Sequence, residues 1–203
     1  MAKPFQFRSI EEAEAQLSQA ELEKAQKEAA DRVSKAMAGE IKWKEAFGVP
    51  SHVLEALYAE AYRLYNAGLY PRAEKLFLFL TNCDPEDPRF CFALAATQQR
   101  LGHYLEALFH YLHVADRLLP TAPRPLFHLY DCQLQLGNKE AAKSCLEEVL
   151  RRDDASGGQY PQMRRKAEAL LEGFKQGEPL IQEEGPPLEV PTHPSANPSE
   201  ARP

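Results

Sequence analysis

Apolar residues between positions 51 and 174 recur at steps of three and four, in helix-length segments punctuated by glycine and proline. The spacing predicts helices over 51–66, from Pro71 to the break at Asp84-Pro85-Glu86-Asp87-Pro88, and over 90–101, 104–119, 126–136, 139–151 and 160–174. Leu54, Leu57, Ala61 and Leu64 form an inward stripe on the first, and Ala73, Leu76, Phe77 and Leu80 on the second. The last helix carries Met163, Ala167, Leu170, Leu171 and Phe174 as its apolar face. Upstream, Ser9 and Glu12 have capping-box spacing. A helix with a thin apolar stripe (Ile10, Ala13, Leu17, Ala20, Ala25) is expected from there to about Ala38. Gly39 and Gly48-Val49-Pro50 bracket a short aromatic segment in which Trp43 and Phe47, four apart, share a helix face. No segment has the alternation of a half-buried strand, so the fold class is all-α.

The helices come in pairs, and the corner between partners repeats. Gly68-Leu69-Tyr70-Pro71-Arg72-Ala73 returns thirty-four residues later as Gly102-His103-Tyr104-Leu105-Glu106-Ala107, and thirty-five further on as Gly137-Asn138-Lys139-Glu140-Ala141-Ala142. Glycine permits the tight corner and alanine the close approach of two helices. This period is that of a tetratricopeptide array: three helix-turn-helix repeats, closed by a capping helix over 160–174. Three regions follow: 1–50, an N-terminal helical region; 51–175, the repeat domain with its cap; and 176–203, a tail. From Gly177 onward seven prolines and five glutamates accompany one basic residue, a composition that builds no core and reads as disordered.

Charge narrows the partners. A formal net charge of -6 and no basic face argue against nucleic acid or an anionic membrane surface. The longest strongly apolar runs, such as Leu76-Phe77-Leu78-Phe79-Leu80, are far short of the roughly 20 residues of a membrane span, so no stable membrane insertion is expected. Residues 1–6 lack the pattern of a secretory leader, which points to the cytoplasm. Cys83, Cys91, Cys132 and Cys145 are widely spaced in apolar segments and read as buried thiols. His110, His113 and Asp116 fall at three-residue steps, but they spread around the helix and suggest no fourth ligand. Neither a metal site nor a cofactor nor catalytic residues are expected.

Tyr58, Tyr62 and Tyr65 fall on one helical stripe, beside the stripe that already supplies core contacts. In such arrays the leading helices line a concave groove. The corresponding positions are Phe92, Ala96 and Gln99 in the second repeat, and Phe127, Asp131 and Leu134 in the third. Aromatic bodies with polar tips suit an extended peptide; the competing reading is that these rings fill space between helices.

From about Tyr58 to Val149 the chain resembles the class II chaperones of bacterial type III secretion. The likeness rests on the run from Tyr58-Ala59-Glu60-Ala61-Tyr62 through Gly68-Leu69-Tyr70, on Asp87-Pro88-Arg89-Phe90, and on Ala122-Pro123-Arg124 with Phe127-His128 and Asp131-Cys132. It implies a bacterial cytoplasmic chaperone whose groove holds a short proline- and leucine-containing segment of hydrophobic translocator proteins, keeping them soluble and export-competent. It further implies groove tyrosines at positions 58, 62 and 65, and an N-terminal helix that forms a homodimer. The longer N-terminal region, the proline-rich tail and Pro125-Leu126, where an aromatic residue before proline is expected, depart from the family pattern. Two rivals are a clamp for a free carboxylate tail, which needs Lys and Asn where Tyr58 and Tyr62 stand, and a structural scaffold that assembles a complex.

Overall fold

The computed structural model describes residues 19–176; the expected capping box at Ser9 and the tail from Gly177 lie outside them. These residues contain nine α-helices and no strand, in two compact units parted at Ser51. In the first, α1 (Gln19–Met37) and the single turn α2 (Trp43–Ala46) pack on each other. Gly39, at φ 75°, turns the chain between them. Trp43 and Phe47 do share a face, their rings stacked at 5.6 Å. Ala36 and Ala46 are buried, whereas Met37 and Phe47 are largely exposed.

In the second unit the pairs are α3 (Ser51–Asn66) with α4 (Tyr70–Cys83), α5 (Pro88–Arg100) with α6 (Tyr104–His113), and α7 (Arg124–Gln135) with α8 (Lys139–Ala155). The cap is α9 (Pro161–Lys175), packed on α8. Each corner closes the same way. Leu69, His103 and Asn138 donate their N–H to Leu64, Gln98 and Gln133, five residues back, at 2.8–2.9 Å, around Gly68, Gly102 and Gly137 at φ 73–78°. Ala73, Ala107 and Ala142, five residues after each glycine, have no exposed surface.

Helix starts differ from the sequence expectation by a turn or less, because the capping groups decide them. Asp87, read as loop, caps α5: its carboxylate accepts from the Arg89 N–H at 2.9 Å, and Pro88 sits in the first turn, where a missing donor costs nothing. Within α5 every residue from Phe90 to Gln98 is buried. Thr97 tolerates this by donating its hydroxyl to the Ala93 carbonyl at 2.7 Å.

One expected helix, 104–119, is interrupted. After His113 the chain widens into a π-helical turn, Val114–Leu118, in which the Leu119 N–H reaches the Val114 carbonyl at 2.8 Å. The wider turn leaves the Ala115 carbonyl for Arg152, which donates to it at 3.0 Å and to the Ala122 carbonyl at 3.2 Å. Glu148, 2.8 Å from Arg152 Nε, holds the guanidinium in place, and Asp116, one of the three residues considered for a metal, lies 3.6 Å from it. The neighbouring Asp153 has no exposed surface and accepts from the Tyr160 N–H at 2.8 Å and from Arg164 at 3.2 Å, fixing the entry to α9. This pair explains why α8 continues a turn beyond Arg151.

Two outcomes follow. Arg152→Ala leaves the buried Ala115 carbonyl and the part-buried Ala122 carbonyl without their donor and lowers unfolding free energy in urea by about 2–4 kcal/mol. Ala107→Leu overfills the corner between α5 and α6 and costs about 1–3 kcal/mol in the same assay.

Candidate functional site

The three tyrosines of α3 do not share one environment. Tyr58 packs inward, its ring 5.8 Å from Phe77 and 5.6 Å from Phe90, and burial raises its phenol well above the ordinary value. Its hydroxyl has no hydrogen-bond partner. Tyr65 is buried edge-on against Tyr70 at 5.2 Å, and burial pushes its phenol up to about 12. Tyr62 lies between them along the helix, half-buried, its ring 6.5 Å from that of Tyr58. Tyr58 is likewise half-buried, so only Tyr65 of the three is fully enclosed.

Arg89 fixes this end of the site. Its guanidinium lies 5.5 Å from the centre of the Tyr58 ring and 5.3 Å from that of Phe90. Glu55 of α3 and Asp87 at the start of α5 each hold it at 2.7 Å. The first leading helix is thereby tied to the second through ions as well as rings. Sequence reasoning used Arg89 only as part of a motif; an arginine directly after the Asp-Pro cap was the available signal.

The second repeat departs from expectation. Phe92 and Ala96 have no exposed surface, so in this structure they are packing residues, not an open groove surface. The reason is local: Phe92 meets Tyr111 of α6 edge-on at 5.3 Å and His128 of α7 edge-on at 5.1 Å, while Tyr111 and His128 stack at 4.9 Å. Ala96 is the small residue of a helix that is enclosed at this level. Gln99, one turn further and half-buried, accepts the Tyr111 hydroxyl at 2.9 Å.

In the third repeat Leu134 is half-buried, and Phe127 is buried with the Lys166 ammonium of α9 5.5 Å from its ring centre. Asp131 is 7 % exposed and its Oδ1 has no hydrogen-bond partner in the protein. Burial raises its carboxyl to about 7, against the pull of the Lys166 charge and a hydrogen bond from Gln99. Beside it on α7, burial holds His128 neutral by lowering its imidazole to about 3, and its Nδ1 is also without a partner. The site therefore brings together Tyr58 and Tyr62 at one end and Gln99, Asp131 and Lys166 at the other. Tyr111, His128 and Lys166 were not foreseen as contributors; a lone His and Asp within the apolar run of α7 were the clue.

The remaining groups have other surroundings. Cys83, Cys91 and Cys132 are buried and Cys145 is half-buried; desolvation raises all four thiols, Cys91 and Cys132 to about 12 and Cys145 to about 11. His113 lies 3.4 Å from the Pro85 carbonyl, and burial lowers the imidazole of His110. α6 also presents an exposed apolar stripe of Leu105, Phe109 and Leu112. No described helix is long and apolar enough to cross a membrane.

Comparison with known proteins gives consistent likenesses, although no protein-family model matches the sequence. Chaperone protein SicA of Salmonella typhimurium is 34 % identical over 135 residues, which cover 66 % of this chain and 78 % of that protein. Among solved structures, the Yersinia enterocolitica type III secretion chaperone SycD, in complex with a peptide of the translocator YopD, superposes with a TM-score of 0.58 at 31 % identity, covering 64 % of this chain and 97 % of that one. PcrH of Pseudomonas aeruginosa, in complex with the chaperone binding region of PopD, gives 0.58 at 32 % identity, covering 64 % and 96 %.

The Asp131 carboxyl makes a prediction about stability. An unfolded aspartate ionises near pH 4 while the folded one holds its proton to about pH 7, so ionisation favours the unfolded chain. The cost is absent below the unfolded value, grows through the interval and is complete above the folded one. Asp131→Asn is therefore expected to raise unfolding free energy by about 2–4 kcal/mol at pH 8 and to change it little at pH 4, measured by urea titration.

Proposed function

We propose that this chain, which belongs to the class II chaperones of type III secretion, binds an extended apolar segment of a translocator protein along the leading helices of its repeats. The observation that carries the reading is the coincidence of two things. The relatives of like fold are translocator chaperones, two of them holding a translocator segment. In this chain the face of α3, α5 and α7 retains half-buried Tyr58, Tyr62, Gln99 and Leu134, with Tyr58 Oη and Asp131 Oδ1 buried beneath them.

An extended segment needs two kinds of contact. Its proline and leucine side chains need apolar surface, which Tyr62 and Leu134 offer, with the Tyr58 and Phe127 rings behind them. Its backbone groups, unpaired in an extended chain, need partners once water is excluded, and Gln99 and Asp131 can provide them. Phe92, Ala96 and Tyr65 act from beneath by holding the helices at a fixed spacing. Binding works by mass action: covering the client's apolar segment lowers the concentration of aggregation-prone free client, and no bond is made or broken. The protein is a binding protein of the bacterial cytoplasm in this reading, not an enzyme. Residues 51–175 hold the client, and residues 1–50 serve self-association, for which the exposed Met37 and Phe47 offer apolar surface.

The environments of the tyrosines separate binding from folding. Tyr62→Ala weakens binding of a translocator segment by about 1–3 kcal/mol, as expected for an interface anchor, with the thermal midpoint nearly unchanged. Tyr65→Ala, which removes a buried ring from its contact with Tyr70, instead lowers stability by about 2–4 kcal/mol. Isothermal calorimetry with the PopD chaperone binding region, beside thermal melts of each variant, distinguishes the two. Equal binding by wild type and Tyr62→Ala would remove Tyr62 from the groove.

A further inference from the structure

The third-repeat end of the face is also where the chain leaves the repeat domain. The cap α9 touches α7 at two places: Lys166 lies 5.5 Å from the centre of the Phe127 ring, and the Phe174 ring, in the last turn of α9, lies 6.2 Å from that of Tyr130. Half-buried Leu134 is one helical turn beyond Tyr130, about 6 Å along the same helix. The described residues end at Gln176, directly after α9. Residues 177–185 separate that point from Pro186-Pro187-Leu188-Glu189-Val190-Pro191, and a linker of that length spans up to about 30 Å when extended. This stretch of tail therefore reaches the face without strain.

The composition of the tail fits the face in two respects. Leu180, Ile181, Leu188 and Val190 are its large aliphatic side chains, and the last two stand among Pro186, Pro187 and Pro191. Proline has little backbone freedom left to lose, so ordering such a segment against apolar surface costs little entropy. Its charge is acidic, five glutamates against the single basic Arg202. Lys166, exposed over the Phe127 ring, and Arg124, the first residue of α7, make the third-repeat end of the face the cationic one. At the first-repeat end two carboxylates, Glu55 and Asp87, flank the single Arg89. Charge thus favours the tail at the end nearest its origin.

Resting on the groove reading above, we infer that residues 186–191 occupy the α5–α7 end of this chain's own groove when no client is bound, and that a client must displace them. On an extended backbone of the polyproline type residues three apart share an edge, so Leu188 and Pro191 face Leu134 together while Glu189 turns toward the cationic rim. The tether strengthens a weak contact. It holds the segment at roughly millimolar effective concentration, so a segment with a Kd of about 0.1 mM fills the face about nine-tenths of the time and weakens an incoming client about tenfold. The empty chaperone thereby covers its own apolar groove between clients, and a segment that binds more tightly displaces the tail.

The test compares the full wild-type chain with the full chain carrying Leu188→Ser and Val190→Ser, a pair that leaves the charge and residues 1–176 unchanged. Amide spectra of the two without ligand are expected to differ at Gln99, Phe127 and Leu134, and to differ equally after about tenfold dilution. In calorimetry, a synthetic peptide of the PopD chaperone binding region is expected to bind the variant about tenfold more tightly than the wild type. Identical spectra at those positions, with the peptide bound equally by both chains, overturn the tail inference and leave the groove reading in place. Differences that fade on dilution put the tail on a second copy, and differences confined to Leu105, Phe109 and Leu112 put it on α6; either overturns occupancy of its own groove. Peptide bound by neither chain overturns the groove reading and, with it, the competition inferred here.

Discussion

The repeat unit is organised around the burial of α5. From Phe90 to Gln98 that helix has no exposed position, and it packs on α4, α6 and α7 at once. Its residues can therefore serve only as spacers: alanines where a neighbouring helix comes close, phenylalanines where rings from two sides meet. The Phe92, Tyr111 and His128 cluster is the clearest case, three rings from three helices within about 5 Å of one another. A helix so enclosed cannot supply the middle of an open groove, and chemistry along this face is left to α3, α7 and the end of α5. The positions most useful to a ligand are thus Tyr62 and the Gln99–Asp131 pair, on either side of an inert centre.

Ions hold the two ends of this arrangement. Arg89 joins α3 to α5 above the rings of Tyr58 and Phe90, bridging Glu55 and Asp87. Arg152 plays the corresponding part beyond the second repeat, where it accepts the geometry of the π-helical turn and closes it with two backbone hydrogen bonds. Arginine suits both places because a planar guanidinium can satisfy several acceptors in one plane, and at Arg89 its face also lies on two rings. Both fix the spacing between helices that a groove requires.

Much of this was legible in the sequence, and what was not has a common cause. The Gly-to-Ala corner recurs because one backbone conformation recurs, so the pairing of helices and the period could be read from Gly68, Gly102 and Gly137 alone. The stripe logic placed Ala61, Leu64, Phe77 and Leu80 in the core, where they are. It failed for Phe92 and Ala96 because periodicity gives the face of a helix but not how many neighbours crowd it. It also assigned one environment to Tyr58, Tyr62 and Tyr65, although seven residues of helix cross from the Phe90 contact to the Tyr70 contact. The π-helical turn was out of reach for a different reason: it depends on Arg152, thirty-seven residues away from the carbonyl that it satisfies.

The central claim is that the face of α3, α5 and α7, and not another apolar surface, receives the client. Amide chemical-shift mapping of the labelled chain during titration with the PopD chaperone binding region tests it most directly. The account predicts the largest changes at Tyr62, Gln99, Asp131 and Leu134, with little change along Leu105, Phe109 and Leu112. Changes concentrated on that exposed stripe of α6, with Tyr62 and Asp131 unmoved, would contradict it.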